Sequence, residues 1–299
     1  MKSAVTLCEV SPRDGLQNEP ELLSTDDKLT LIHHALNAGL KRVEVTSFVH
    51  PKRVPQMADA EAVCAGLPQR GDVTYTGLVL NWRGYERARA TGRIDEVGMV
   101  VPASNTFGER NQGQSVADAV AEGRAILRDA KAKGLRAQAT IAVAFGCPFE
   151  GDVPVERVAE IAAELAQEQP VEVGLADTIG VGAPAQVLAL MGALRTALGP
   201  AMPLRAHFHN TRNTGIANAF AALMADVDTL DASIGGIGGC PFAPKASGNI
   251  ATEDLVYMLD RMKVSHDATL SSLLDAASWL SGALKKPVPS MLSRAGGFP

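Results

Sequence analysis

The sequence predicts a closed (β/α)8 barrel, the TIM barrel, with a short helical extension at its C-terminal end, and three observations carry that prediction. Short runs rich in Val, Ile, Leu and Ala alternate with longer helical stretches along the whole chain. About eight such strand–helix units fit into about 260 residues, the size of that barrel. The turn after the first strand reads Ser11-Pro12-Arg13-Asp14-Gly15, not the G-x-G-x-x-G that an open, doubly wound sheet would carry there. Strands this dense in aliphatic residues suit a parallel sheet covered on both faces.

Taken in order, the first strand is predicted over 5–10, followed by a helix that starts at Thr25 and stops at Gly39. Thr25 and Asp26 are its capping candidates, and Asp27 favours the first turn. Further strands are predicted over 42–46, 73–80, 96–101, 137–143, 171–176, 204–208 and 229–234. Helices are predicted between them over 56–65, 83–90, 115–133, 155–167, 184–198 and 213–225, with 252–262 ending the cycle. A helix over 270–284 forms the extension. No Pro/Gly/Ser linker or charge block divides the chain. Residues 1–299 are therefore expected to form a single catalytic domain, with the barrel over about 4–262 and the extension over about 268–299.

Charge and composition narrow the function classes. The 299 residues carry 28 basic and 33 acidic side chains, a formal net charge of -5. That balance argues against nucleic acid or an anionic membrane as partner, since both need clustered Lys and Arg. With 46% hydrophobic and 20% charged residues the chain reads as globular, and no apolar run approaches a membrane span. The segment from Met1 to Glu9 resembles neither a signal peptide nor an Arg-rich leader. Cys8, Cys64, Cys147 and Cys240 are scattered and form no C-x-x-C pair, so a reducing compartment, the cytoplasm, is expected.

In such a barrel the chemistry sits at the C-terminal ends of the strands. Those positions hold Arg13-Asp14, Glu44 with Thr46-Ser47, Asp177-Thr178, His207-Phe208-His209-Asn210 and Gly235-Gly236-Ile237-Gly238-Gly239-Cys240-Pro241. On a strand, residues i and i+2 share a face, so His207 and His209 can bind one cation or flank one substrate. Asp14 can add a carboxylate and Asn249 a carbonyl oxygen. Two nitrogens and two oxygens suit Mg²⁺ or Mn²⁺, while Co²⁺ and Zn²⁺ also fit by affinity order. The plainer alternative is that both histidines pack and hydrogen-bond without a metal. The glycines before Cys240 allow close approach to a ligand or motion as a lid; the alternative is a long connection with an incidental thiol. Arg13 reads either as a rim ion pair or as a clamp for a developing enolate or a carboxylate. Cys8, Cys64 and Cys147, and His33, His34, His50 and His266, are given no functional role.

These motifs resemble the 3-hydroxy-3-methylglutaryl-CoA lyases, within the wider group of metal-dependent TIM-barrel lyases and synthases. The matching text is Pro12-Arg13-Asp14-Gly15-Leu16-Gln17-Asn18-Glu19, Glu44-Val45-Thr46-Ser47-Phe48-Val49, Gly146-Cys147-Pro148-Phe149-Glu150-Gly151, Asp177-Thr178-Ile179-Gly180 and the block from Gly235 to Asp254. The resemblance implies that Asp14, His207, His209 and Asn249 hold a divalent cation, Mg²⁺ or Mn²⁺. It implies that Arg13 stabilises the enolate of acetyl-CoA, that Cys240 protonates it, that Glu44 orders the site and that Asp177 assists proton transfer. Gln17, Ser47, Thr140 and Gly174 are implied to contact substrate. The general base stays open between Asp177 and a metal-linked histidine.

The implied reaction cleaves 3-hydroxy-3-methylglutaryl-CoA to acetyl-CoA and acetoacetate, a step of leucine degradation. The implied partner is a small acyl-CoA, and the implied assembly a homodimer or other homo-oligomer. The chain departs from the family pattern where Gln138, Thr140 and Ala142 replace Arg, Tyr and Ser, and where Gly174 and Ala176 replace Ser and Gly. Arg53 also replaces a Trp, and Asn210 an Asp. An acyl group larger or differently substituted than methylglutaryl, branched or citramalyl-like, is therefore a second expectation. A condensing acyltransferase of the isopropylmalate synthase type and a non-catalytic metal- or CoA-binding barrel are the remaining alternatives.

Overall fold

The structure, a computed structural model, describes residues 2–239 and 248–298. Parallel strands β1 (Thr6–Glu9), β2 (Arg42–Ser47), β3 (Thr74–Val79), β4 (Glu96–Pro102), β5 (Arg136–Ala142), β6 (Val173–Asp177), β7 (Leu204–Phe208) and β8 (Thr229–Ala232) close into a barrel in sequence order. The helices are α1 (Thr25–Asn37), α2 (Ala60–Gly66), α3 (Trp82–Ala90), α4 (Asn105–Asn111), α5 (Val116–Ala132), α6 (Val155–Ala166), α7 (Pro184–Leu198), α8 (Gly215–Met224), α9 (Thr252–Met262), α10 (Leu270–Ala283) and α11 (Leu292–Ala295). β1 is registered to β8 from Thr6–Thr229 to Glu9–Ala232, but to β2 only at Glu9–Val43. No described helix is long and apolar enough to cross a membrane.

Most predicted elements stand within one or two residues of their expected bounds, and the differences have local causes. Helix α1 is capped by Ser24, not by Thr25 or Asp26: the Ser24 hydroxyl accepts from the Asp27 N–H, and Asp27 reaches back to the Ser24 N–H. The helix expected over 56–65 divides into a 3₁₀ turn at Pro55–Met57 and the shorter α2. α4 was not anticipated; it is short and largely polar, and Ser104 caps it by accepting from the Phe107 N–H. β8 ends at Ala232, and Ile234–Gly236 forms a 3₁₀ turn.

Alternation along the strands separates two interiors. Outward-facing Val43, Met99, Ile141, Leu175 and Phe208 are buried in the apolar layer shared with helix residues such as Leu31, Ile32, Ile126 and Ile161. The floor of the space inside the barrel is instead charged and paired. There Arg42 bonds both oxygens of Glu172, at 2.6 and 2.9 Å, and pairs with Glu96. Thr229 adds a hydrogen bond to Glu172 at 3.0 Å. Ions this deeply buried are tolerated only when paired and hydrogen-bonded.

Helices α9 and α10, with the segment after them, hold the rim near β8. The Glu253 carboxylate of α9 accepts the Gly235 N–H at 3.1 Å, and the Ser290 N–H donates to the Gly235 carbonyl at 3.0 Å. Burial drives the Glu253 carboxyl from its ordinary 4.5 up to about 7. An acid whose folded pKa is raised stabilises the fold fully below its unfolded value and loses that contribution as pH rises through the folded value.

Stability measured by urea titration is therefore expected to fall between about pH 4.5 and 7, and Glu253→Gln to flatten that dependence. A second expectation concerns Gly39, which has φ +97° and whose added Cβ would lie 2.1 Å from the Asp267 carbonyl oxygen. Gly39→Ala is expected to cost about 2 kcal/mol or more, read as a lowered midpoint in the same titration.

Candidate active site

After β1 the chain makes a single π-helical turn, Ser11–Gly15, in which the N–H groups of Arg13 and Gly15 both point to the Val10 carbonyl. A Cβ on Gly15 would lie 2.8 Å from the Ser233 hydroxyl and 2.9 Å from Ile237, so the turn packs against the end of β8 only with glycine there. Beneath it the buried Glu9 carboxylate accepts from the Ser11 N–H (2.8 Å), the Ile234 N–H (2.9 Å) and the Thr252 hydroxyl (2.7 Å). These bonds fix β1, the β8 end and α9 together. Arg13 and Asp14 are thereby set on the mouth of the barrel.

On the same side of the mouth, with only β8 between it and β1, β7 presents Arg205 and His207 from one face, and His209 just beyond its end continues the alternation. The His209 Nε2 lies 3.5 Å and the His207 Nε2 3.9 Å from Asp14 Oδ2. One ligand atom from each of the three residues falls within 4.8 Å of the others. Asn249 donates its side-chain amide to Asp14 at 2.8 Å and to the Ile237 carbonyl at 3.0 Å. Burial would raise the Asp14 carboxyl, but Arg13 and the two histidines hold it well below the usual carboxylate range.

The donor set fits a divalent ion: two imidazoles and one ionised carboxylate converge, and the buried Nδ1 of His209 has no hydrogen-bond partner. His207 is further organised from behind. Its Nδ1 lies 3.1 Å from the Asp231 carboxylate, which leaves Nε2 turned toward Asp14. Arg205 clasps the same carboxylate at 2.5 and 2.9 Å and lies 3.8 Å from Glu44, which in turn pairs with Arg13. Arg13 closes the ring onto Asp14 at 2.6 Å.

Arg13, Asp14, Gln17, Glu44, Thr140, His207 and His209, among the predicted site residues, line one cavity with an empty volume of about 930 Å³ including its mouth. Ser47, Gly174, Asp177 and Asn249 are not among its lining residues. Ser47 is buried and donates to Gln17 at 3.3 Å. Gly174 lies behind Thr140, whose hydroxyl would be 2.7 Å from an added Cβ. Both oxygens of Asp177 are engaged by the N–H groups of Val181 (2.8 Å) and Gly182 (2.9 Å), and burial raises its pKa. Cys240 lies outside the described residues.

Arg205 and Asp231 are the site residues that sequence reasoning missed. A signal existed: Arg205 precedes His207 by two positions, and Asp231 is an acid among apolar neighbours on the adjacent strand, so alternation alone points both inward. Asp231→Asn is expected to weaken Mn²⁺ binding about ten- to a hundredfold, as measured by isothermal titration calorimetry.

The HMGL-like family model matches residues 4–280. The hydroxymethylglutaryl-CoA lyase of Bacillus subtilis is 43% identical over 96% of this chain and 95% of its own. The (R)-citramalyl-CoA lyase of Chloroflexus aurantiacus is 42% identical over 98% and 95%. Among solved structures, an HMG-CoA lyase from Acinetobacter baumannii in complex with coenzyme A and 3-methylmalate superposes with a TM-score of 0.94 at 37% identity, covering 99% of this chain and 96% of that one. With a shared barrel and sequence similarity over nearly its whole length, this chain belongs to the HMGL-like family.

Proposed function

We propose that the protein is a metal-dependent carbon–carbon lyase that cleaves 3-hydroxy-3-methylglutaryl-CoA, or a close 3-hydroxyacyl-CoA, to acetyl-CoA and an oxo acid. The observation that carries this reading is the convergence of Asp14, His207 and His209 beside Arg13 in one cavity. A Mg²⁺ or Mn²⁺ ion held by Asp14, His207, His209 and Asn249 would lower the pKa of the substrate hydroxyl and offset negative charge near it.

The remaining work falls to the side chains. Asp231 fixes the orientation of His207, and Glu44 fixes that of Arg13. Arg13, positively charged at the cavity wall, meets the negative charge that grows on the thioester oxygen as the C2–C3 bond breaks. Because that charge is absent from the ground state, the interaction accelerates the step rather than tightening binding. The group that takes the hydroxyl proton is one of two: Asp177, whose oxygens also accept two backbone N–H bonds, or a histidine of the pair. Cys240 is assigned the final protonation of the enolate on the strength of the resemblance. A homo-oligomeric assembly and a role in leucine degradation are carried over on the same ground, while a single catalytic domain rests on a sequence without a dividing linker and a cytoplasmic location on its scattered cysteines.

A citramalyl-CoA substrate is the second reading, favoured by a citramalyl-CoA lyase being nearly as similar as the B. subtilis enzyme and by Gln138 and Thr140 at the cavity wall.

The test is acetyl-CoA release from 3-hydroxy-3-methylglutaryl-CoA with Mg²⁺, Mn²⁺ or EDTA. Release is expected with either metal, to be lost in EDTA, and to fail in Cys240→Ala. Arg13→Gln is expected to lower kcat roughly a hundred- to a thousandfold with little change in KM. No release from this ester, with Mn²⁺ still bound, would transfer the assignment to citramalyl-CoA.

A further inference from the structure

The cavity has two chemically distinct walls. Its charged groups all stand on one side: Arg13 and Asp14 after β1, Glu44 on β2, Arg205 and His207 on β7, His209 just beyond it and Asp231 on β8. Across from them Leu78 of β3, Leu80 just after it, Val100 of β4, Phe107 of α4 and Val49 after β2 face the same space. Val49, Leu80 and Val100 are only half-buried although they sit inside the mouth, so apolar surface is left bare toward the cavity. Of the cations lining it among the described residues, Arg13 is paired with Glu44 and Asp14, and Arg205 with Asp231. Both stand on the charged wall. Of the polar groups bordering the apolar wall, the Thr140 hydroxyl donates to Gln138 at 2.9 Å, and Asn111, one turn after Phe107 on α4, also lines the cavity. Ala142 and Ala176 add room beside them.

This division sorts the arms of a tertiary 3-hydroxyacyl-CoA, and the inference rests on the lyase reading above. The hydroxyl and the carboxylate-bearing arm belong to the wall of Asp14, His207 and His209. The thioester arm runs past Arg13 to the mouth, where Asn18 and Gly239 stand. The fourth substituent of C3 then points across the barrel.

We propose that Val49, Leu78, Leu80, Val100 and Phe107 form the binding site for that fourth substituent, and that the enzyme prefers 3-hydroxy-3-alkylglutaryl-CoA esters whose alkyl group is longer than methyl. A wall of this kind has no partner for a charged or hydroxylated tail, so a polar group there would lose its hydration without compensation. Each methylene that covers bare apolar wall leaves water and strengthens binding in the transition state as in the ground state.

The experiment measures kcat/KM for acetyl-CoA release by the full-length protein with saturating Mn²⁺, using the methyl, ethyl, propyl and butyl esters. The expected result is a rise of about fourfold per added methylene until the wall is covered. Val100→Phe, which fills the wall from β4, is expected to lower the butyl-to-methyl ratio at least about tenfold. Leu80→Phe serves the same purpose should Val100→Phe fail to fold, as judged by circular dichroism. A methyl ester that is cleaved best, with each longer ester slower, overturns the proposal. So does a preference for the butyl ester that survives both substitutions. Failure to cleave any ester, methyl included, overturns this inference; citramalyl-CoA in the same assay separates the two readings, since its cleavage keeps the lyase reading and its failure overturns that reading as well.

Discussion

The guanidinium of Arg205 stands where the floor of the barrel meets the site, and most of the polar interior depends on it. It clasps Asp231, lies 3.6 Å from Glu172 below and 3.8 Å from Glu44 above, and donates to the Cys8 thiol at 3.4 Å. Without it, the three buried carboxylates Asp231, Glu172 and Glu44 would be left close together with one cation fewer. Coulomb repulsion at such distances, little screened by solvent, would have to be relieved by protonation or by water entry. With it, each carboxylate is free to do something else: Asp231 orients His207, Glu44 orients Arg13, and Glu172 anchors Arg42. The charged interior is thus a relay of orientation from the floor to the mouth, and its cost in desolvation is offset only because every member is held by more than one neighbour.

The mouth inherits its rigidity from that relay. Arg13 and Asp14 come from a turn of five residues packed against the end of β8, and they are gripped by Glu44, by Asn249 and, through Glu9, by that same end. Groups locked in this way need little reorganisation when charge appears on a substrate, which is the condition under which electrostatic stabilisation is most effective. The opposite wall is built without such bonds. Its residues only exclude water, so shape and apolar area decide what it accepts.

Much of this was legible in the sequence, because strand alternation and helix periodicity are local properties. The His-x-His spacing alone placed two imidazoles on one face, and Arg13-Asp14 at a strand end pointed to the mouth. Partnerships across the barrel were harder to read. Whether Asp231 meets His207 or some other inward group depends on the register between β7 and β8, which no local pattern states. Asp177 shows the converse: a carboxylate at a strand end, expected at the chemistry, whose oxygens are engaged by two backbone N–H groups of the following turn. Gly174 was expected to contact substrate, but it does not line the cavity, and a Cβ there would lie 2.7 Å from the Thr140 hydroxyl. Ser24 was missed as a cap because Thr25 and Asp26 beside it are equally able in kind, and the choice was made by Asp27 reaching back.

The register of β1 carries a consequence for how the protein comes into being. This strand lies along β8 through four residue pairs and along β2 through one. During synthesis the residues that flank Arg13 and Asp14 therefore leave the ribosome long before the strand that holds them. Two hundred or so residues must follow, and those of β2 to β7 can pack with their helices in the meantime. His207 and His209 arrive next, and Asp231 and Asn249 after them. A nascent chain thus holds no assembled cation site and no closed barrel. Both come into existence in the same late event, when the last strand docks against the first, so the meeting of Asp14 with His207 and His209 coincides with the completion of the fold.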